Sequence, residues 1–189
     1  MKDRKLTAPE MGRLTPDEYR SRPESGTVVV LDNVRSAYNV GSAFRSCDAF
    51  GVDRVYLCGI CAVPPSNEIH KTALGAEESV PWQHCDSTLE AVASLKAAGY
   101  TVVSVEQTEK SIKLTTSGVG RSAAVEGGST PDRRKYAFIF GNEVEGVQQS
   151  VVDASDFCLE IPQHGTKHSL NVSVAAGIVM YEISNILRG

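Results

Sequence analysis

Apolar residues are distributed along this 189-residue chain in two alternating patterns. Short, nearly continuous runs occur at Thr27–Asp32 (TVVVLD), Arg54–Cys58, Tyr100–Val105, Tyr136–Phe140 (YAFIF) and Phe157–Ile161 (FCLEI). Runs of this length, with little polar alternation, predict strands covered on both faces, as in a buried parallel sheet. Between them the apolar spacing lengthens to three and four residues. Val40, Ala43, Phe44, Cys47 and Phe50 predict an amphipathic helix over Asn39–Phe50 that Gly51 stops. Ser87-Thr88-Leu89-Glu90 reads as a capping box for a helix reaching Ala98, closed by Gly99. A short helical stretch is expected around Val147–Val152 and a final helix from about Asn171 to Leu187. Strand and helix alternating in this way predict an α/β domain, a mostly parallel sheet with helices on both faces.

The size suits one such domain over residues 26–189, preceded by a short arm over residues 1–25. In the arm, Thr15-Pro16-Asp17-Glu18 combines an N-cap, a proline at the first helical position and acidic residues at the positive helix end, predicting one small helix. Residues 115–132 carry no apolar period, and Ser117–Pro131 (SGVGRSAAVEGGSTP) is rich in Gly and Ser, so this stretch is expected to be a flexible loop or insertion.

Composition narrows the class of protein. Hydrophobic residues make up 41% and charged residues 22%, ordinary for a globular domain. No apolar run approaches the roughly 20 residues that cross a bilayer, and the first residues lack the apolar core of a signal peptide, so the expectation is a cytoplasmic protein with no membrane partner. Five cysteines, an odd number without dense spacing, fit reduced thiols. Cys58 and Cys61 form a single C-x-x-C, half a zinc site or a redox pair in isolation, or simply a strand end with two soft side chains; with no second pair at metal-site spacing, no metal is expected. The net charge of −4 argues against broad phosphate binding, although basic residues gather at Lys2, Arg4, Lys5, Arg13, Arg20 and Arg22, and at Arg133, Arg134 and Lys135. Neither G-x-G-x-x-G nor a G-x-x-x-x-G-K-[ST] phosphate loop is present, which disfavours a nicotinamide or ATP enzyme.

The polar residues are placed informatively. Clusters rich in Asn, Gly, Arg, Glu, Ser and Pro directly follow three of the apolar runs: DNVRSAYNVGSAFR after Thr27–Asp32, GNEVEG after Tyr136–Phe140, and PQHGTKHSLNVS after Phe157–Ile161. In open α/β sheets ligands bind beyond the carboxyl ends of strands, so the three clusters are expected to converge on one pocket.

These clusters carry a family resemblance. NVGSAFR, with Asn39, Gly41 and Arg45, resembles the first motif of the SpoU (TrmH-like) RNA 2′-O-ribose methyltransferases. FGNEVEGV at Phe140–Val147 resembles the second motif and IPQHGTKHSLNVSVAAGI at Ile161–Ile178 the third. KTALGAE at Lys71–Glu77 resembles a segment linking them. The resemblance implies a SPOUT-type fold with a C-terminal trefoil knot, usually a homodimer, which methylates tRNA or rRNA with S-adenosylmethionine as cofactor. Local rules alone would not suggest a knot. A noncatalytic RNA-binding or ribosome-assembly factor retaining the fold is the alternative.

By that resemblance the catalytic set is Arg45, Asn39, Glu143, Ser169 and Asn171, and the cofactor-binding set is Phe140, Gly141, Asn142, Gly146, Ile161, Pro162, Gly165, Ser169 and Leu170. Arg45 matches the catalytic arginine. Its near-permanent charge suits it to stabilise a developing 2′-oxyanion and grip a phosphate, not to accept a proton; a helix-surface pair with Asp48 is the plainer role. Asn39 can order that arginine or merely cap its helix, and Gly41 can admit a substrate or partner backbone. Glu143 can hold Arg45 or Asn171 through a charge-assisted hydrogen bond. Ser169 and Asn171 suit either a polar pair near the reacting centre or a helix N-cap. His164 and His168, which flank Lys167, can meet RNA or simply face solvent, and Trp82 can stack a base or be buried.

Overall fold

The computed structural model describes residues 3–7, 9–114 and 135–188; the Gly/Ser-rich stretch, with Arg133 and Arg134, lies outside them. The strands are β1 (Thr27–Asp32), β2 (Arg54–Cys58), β3 (Trp82–Cys85), β4 (Tyr100–Val105), β5 (Ile112–Lys113), β6 (Lys135–Phe140) and β7 (Phe157–Glu160). Among the described residues the α-helices are α1 (Pro16–Ser21), α2 (Ala37–Ala49), α3 (Asn67–Ala73), α4 (Ala76–Ser79), α5 (Thr88–Ala97), α6 (Gln149–Ala154) and α7 (Val172–Arg188). All strand pairings are parallel, in the order β3-β2-β1-β6-β4-β7-β5.

The run-like strands follow from two covered faces. Alternate residues of β1 enter different clusters: Val29 and Leu31 pack with Phe44, Ile69, Met180 and Ile183 of α2, α3 and α7, while Val28 and Val30 pack with Ala91, Val92, Leu95 and Val151 of α5 and α6. With no solvent on either side, all six β1 residues are buried, and the usual polar alternation has no place to appear. Asp32, at the strand's end, has its buried carboxylate hydrogen-bonded by the Thr88 hydroxyl (2.6 Å), the Asn33 amide (2.9 Å) and the Gln148 backbone N–H (2.9 Å). Those bonds join β1 to α5 and to the chain just before α6, and they satisfy a charge that would be costly alone.

Differences from the sequence expectation have local causes. Helix α2 begins at Ala37, because Ser36, not Asn39, is the N-cap and its hydroxyl accepts the Asn39 backbone N–H. The arm's helix carries the expected capping box between Thr15 and Glu18, and Tyr19 docks it on the domain by donating to the Cys47 and Val52 carbonyls. Strands β3 and β5 and helices α3 and α4 had no clear periodic signature: WQHC is a mixed four-residue edge strand, β5 has two residues, and the two helices are separated by left-handed Leu74 and Gly75. Gly41 admits the backbone of α3 from the same chain, since a Cβ there would lie 2.3 Å from the Ile69 carbonyl oxygen. All five cysteines are free. Cys61 is buried between the Val34 N–H and the Leu31 carbonyl, and burial pushes its thiol up to about 11; burial likewise raises Cys58. The C-x-x-C therefore closes the ends of β1 and β2 with unreactive thiols. No helix of the described residues is long and apolar enough to cross a membrane.

Candidate functional site

Strand order reverses beside β1: the chain runs outward through β2 and β3, then crosses to build β4 to β7 on the other side. A crevice at the carboxyl ends of the strands is expected at such a switch. A cavity of about 310 Å³ opens at the carboxyl ends of β6, β4 and β7 instead, bounded by their last residues (Phe140, Val105 and Glu160) and by the loops that leave them; Asn39, Arg45 and Asn171 are not among its described lining residues. Its lining includes Phe140, Gly141, Asn142, Glu143, Gly146, Ile161, Ser169 and Leu170 of the expected set. Pro162 and Gly165 lie outside the lining, and a Cβ at Gly165 would meet nothing within 4 Å.

The segment after β6 is a tight turn built from its own polar groups. The Asn142 Oδ1 accepts the Val144 and Glu145 N–H groups at 2.9 Å each, and Asn142 and Gly146 exchange backbone hydrogen bonds. Asn142 is thus a buried turn-former whose amide is used internally. Gly146 has φ +71°, and a Cβ there would meet the Glu106 carboxylate at 2.2 Å, so two requirements for glycine coincide.

Glu143, in that turn, is where the three clusters meet. Its carboxylate accepts the Asn39 side-chain amide at 2.7 Å and the Arg35 and Ser36 backbone N–H groups at 3.3 and 3.2 Å. The Asn39 Oδ1 in turn accepts the Asn171 amide at 3.0 Å, and the Asn171 Oδ1 accepts the Ser173 N–H and hydroxyl at the start of α7. Because Ser36 already caps α2, the Asn39 side chain is free to bridge a carboxylate on one side and an amide on the other. Capping and site-building coincide at Asn171, which stands immediately before α7. Partial burial alone would lift the Glu143 carboxyl, but the Asn39 amide and the neighbouring backbone N–H groups outweigh it and hold its pKa below the usual carboxylate value.

Arg45 is elsewhere. Glu143 holds Asn39 and reaches Asn171 only through it, and Arg45 has no ion pair with Asp48 or hydrogen bond among the described residues. Six residues beyond Asn39, it lies about 9 Å further along the α2 axis and projects from another side of the helix. It is exposed and lines a separate surface groove with Ser42, Ser46, Ala49, Phe50, Lys71 and Thr72. His168 lines the cavity, while His164 and Lys167 are exposed on the same loop. Trp82 is half-buried against the core. In the arm, Arg4, Arg20 and Arg22 are paired with Glu10, Asp17 and Asp53. On α3 and α4, His70, Glu77 and Glu78 bring their ligand atoms within 4.8 Å of one another, with His70 bonded to Glu77 at 2.6 Å, outside the cavity lining.

Several lining residues escaped the sequence reading, chiefly Glu106 and Gln107. They follow β4 directly, so the rule that selected the other clusters applied to them as well. The cavity's charged lining is one-sided among the described residues: Glu106, Glu143, Glu145 and Glu160 contribute carboxylates, and no described lysine or arginine lines it.

The comparisons with known proteins agree with this geometry. The model of the SpoU rRNA Methylase family matches residues 26–181. A TrmH family tRNA/rRNA methyltransferase of Staphylococcus haemolyticus is 32% identical over 157 residues, which is 83% of this chain and 57% of that protein. The chain therefore spans just over half the length of that relative. Among solved structures, the TrmH/SpoU tRNA modifying enzyme of A. aeolicus has a TM-score of 0.74 at 24% identity, covering 92% of this chain and 81% of that one. The SpoU methyltransferase AviRb from Streptomyces viridochromogenes, in complex with the cofactor AdoMet, has a TM-score of 0.68 at 22% identity, covering 89% and 60%. The parallel sheet, the cavity at the carboxyl ends of its strands and a family match over residues 26–181, which takes in all three clusters, lead to one conclusion: the chain belongs to the SpoU rRNA methylase family.

Proposed function

We propose that this protein transfers a methyl group from S-adenosylmethionine to a ribose 2′-hydroxyl of tRNA or rRNA. The observation that carries the reading is the Glu143–Asn39–Asn171 linkage, which joins three distant segments at the border of one cavity. The donor set fits the cofactor. S-adenosylmethionine is a sulfonium and an ammonium joined to an adenosine. Among the described residues, a lining with four carboxylates, one imidazole (His168) and no lysine or arginine favours such a cation over nucleotide phosphates. Apolar Val105, Phe140, Leu159, Ile161 and Leu170 offer surfaces for an adenine ring. The family and the AdoMet-bound AviRb neighbour support the same assignment.

When bound, the cofactor supplies an electrophilic methyl group, which leaves the protein with positioning and electrostatics. Glu143 and Asn171 hold the Asn39 amide from both sides, setting the start of α2, while Ser169 presents a hydroxyl at the cavity. As the O–CH3 bond forms and the S–CH3 bond breaks, the guanidinium of Arg45 stabilises the developing 2′-oxyanion and holds an adjacent phosphate, while the hydroxyl proton leaves to another group or water. Its place outside the cavity of its own chain is accounted for if a second copy brings Arg45 to the cavity. A homodimer is further supported by exposed Val174, Ile178 and Tyr181, at spacings of four and three residues along α7, with exposed Leu170 just before it. The same reading includes a trefoil knot in the C-terminal segment, supported by the family match.

Incubation of the chain with radiolabelled S-adenosylmethionine and unmodified tRNA or rRNA tests the reading. A 2′-O-methyl group makes the following phosphodiester resistant to alkali, so transfer is expected to create an alkali-resistant position. Saturable RNA binding with neither cofactor binding nor label transfer would instead indicate a noncatalytic RNA-binding or ribosome-assembly factor.

A further inference from the structure

Strand β4 lies between β6 and β7, so the residues leaving its carboxyl end emerge between the turn after β6 and the loop after β7. Those residues are Glu106 and Gln107, and each engages a different neighbour. The Glu106 Oε2 accepts the Val147 N–H at 3.1 Å, at the end of the first turn, and its Oε1 accepts the Gln107 N–H at 2.8 Å. The Gln107 Nε2 donates to the His168 carbonyl at 2.8 Å, in the loop before α7. Both residues line the cavity, but their hydrogen bonds go to the walls. The approach is close enough that a side chain at Gly146 would strike the Glu106 carboxylate. A charged acceptor facing two backbone N–H groups, and an amide donor facing a carbonyl, match the free groups that irregular loops leave.

We infer that Glu106 and Gln107 are positioning residues that set the width of the donor cavity by fastening its two walls to one strand end. Glu106 fastens the turn after β6, and Gln107 fastens the loop before α7. The consequence for S-adenosylmethionine rests on the proposed function; the fastening of the two walls does not. With Gln107 unable to donate, the loop before α7 loses its tie while the turn after β6 keeps its own. The cofactor then has to order that loop as it binds, which weakens binding before it slows transfer.

Gln107→Glu isolates donation from size, because the two side chains are nearly isosteric and the carboxylate cannot donate to the His168 carbonyl. The added negative charge would by itself favour a cationic donor, so weaker binding cannot be ascribed to it. In the full-length chain, Gln107→Glu and Gln107→Ala are expected to raise the KM and Kd for S-adenosylmethionine about three- to tenfold, the scale of one lost hydrogen bond, and to change kcat by less than about twofold. Amide hydrogen exchange should quicken over residues 163–170 and stay unchanged over 143–148. Glu106→Ala, which leaves the Val147 N–H without its acceptor, should reverse that pattern. The inference is overturned if Gln107→Glu matches wild type in both exchange and affinity, or if either variant quickens exchange evenly across the domain. If the exchange changes segregate as stated but the wild-type chain binds no S-adenosylmethionine, the fastening stands and the donor assignment fails.

Discussion

Asn39 is the residue on which the site's geometry turns, because its amide has a donor and an acceptor end and each is used. Asn39→Asp removes the donor and sets a second carboxylate against Glu143, leaving like charges at hydrogen-bond distance. We expect thermal unfolding to show a loss of about 1–3 kcal/mol and methyl transfer to fall more steeply than cofactor binding. Glu143 gives the link a pH dependence. Its folded pKa is depressed, so the link's contribution is complete above the unfolded value of 4.5 and is lost as pH falls through the lower folded value. Arg45 makes the opposite case. It holds nothing among the described residues of its own chain, so Arg45→Lys should leave the melting temperature within about 1 °C of wild type. A planar fork aimed at an oxyanion is poorly replaced by an ammonium, and kcat should fall about 100-fold in single-turnover transfer.

At the scale of elements, the joint between α2 and α3 controls where the first cluster sits. Gly41→Ala drives a methyl group into the Thr72 hydroxyl and the Ile69 carbonyl, and backbone is the harder of the two to move. Urea unfolding should report a destabilisation of about 1–3 kcal/mol, the usual cost of overpacking. Shifting α2 against α3 also displaces Asn39, so activity should fall with stability. The α3–α4 corner is held by the hydrogen bond between His70 and Glu77, which raises the His70 pKa above 6.5. With the folded value raised, the contact stabilises fully below the unfolded pKa and is lost as pH rises through the folded one. An NMR titration should find the His70 midpoint above 6.5, returning toward it in Glu77→Gln.

For the whole molecule, the question is how Arg45 meets a cavity from which it is separated. In the proposed homodimer a second copy docked along α7 would supply a route, with the exposed Leu170, Val174, Ile178 and Tyr181 as apolar surface for it. Ile178→Glu should turn a dimer into a monomer in sedimentation velocity. Transfer should be lost, while S-adenosylmethionine binding is expected to survive, since this chain supplies nineteen lining residues of its own. An active monomer would remove the need for a second copy.

The α/β class and five of the strands follow from local pattern: β1, β2, β4, β6 and β7 show as apolar runs because each carries a stretch of consecutive buried residues. The clusters after β1, β6 and β7 were likewise visible as polar residues placed at strand ends. What sequence could not give was the order of strands, since parallel neighbours are brought together by long crossovers and carry no mark of their partners. Placing β4 between β6 and β7 is such a tertiary fact, and it alone makes Glu106 and Gln107 part of the site. The direction of a helical side chain is set by register about the axis. The helix N-cap at Ser36 therefore turns Asn39 toward Glu143 and leaves Arg45, in the same motif, facing out of the cavity.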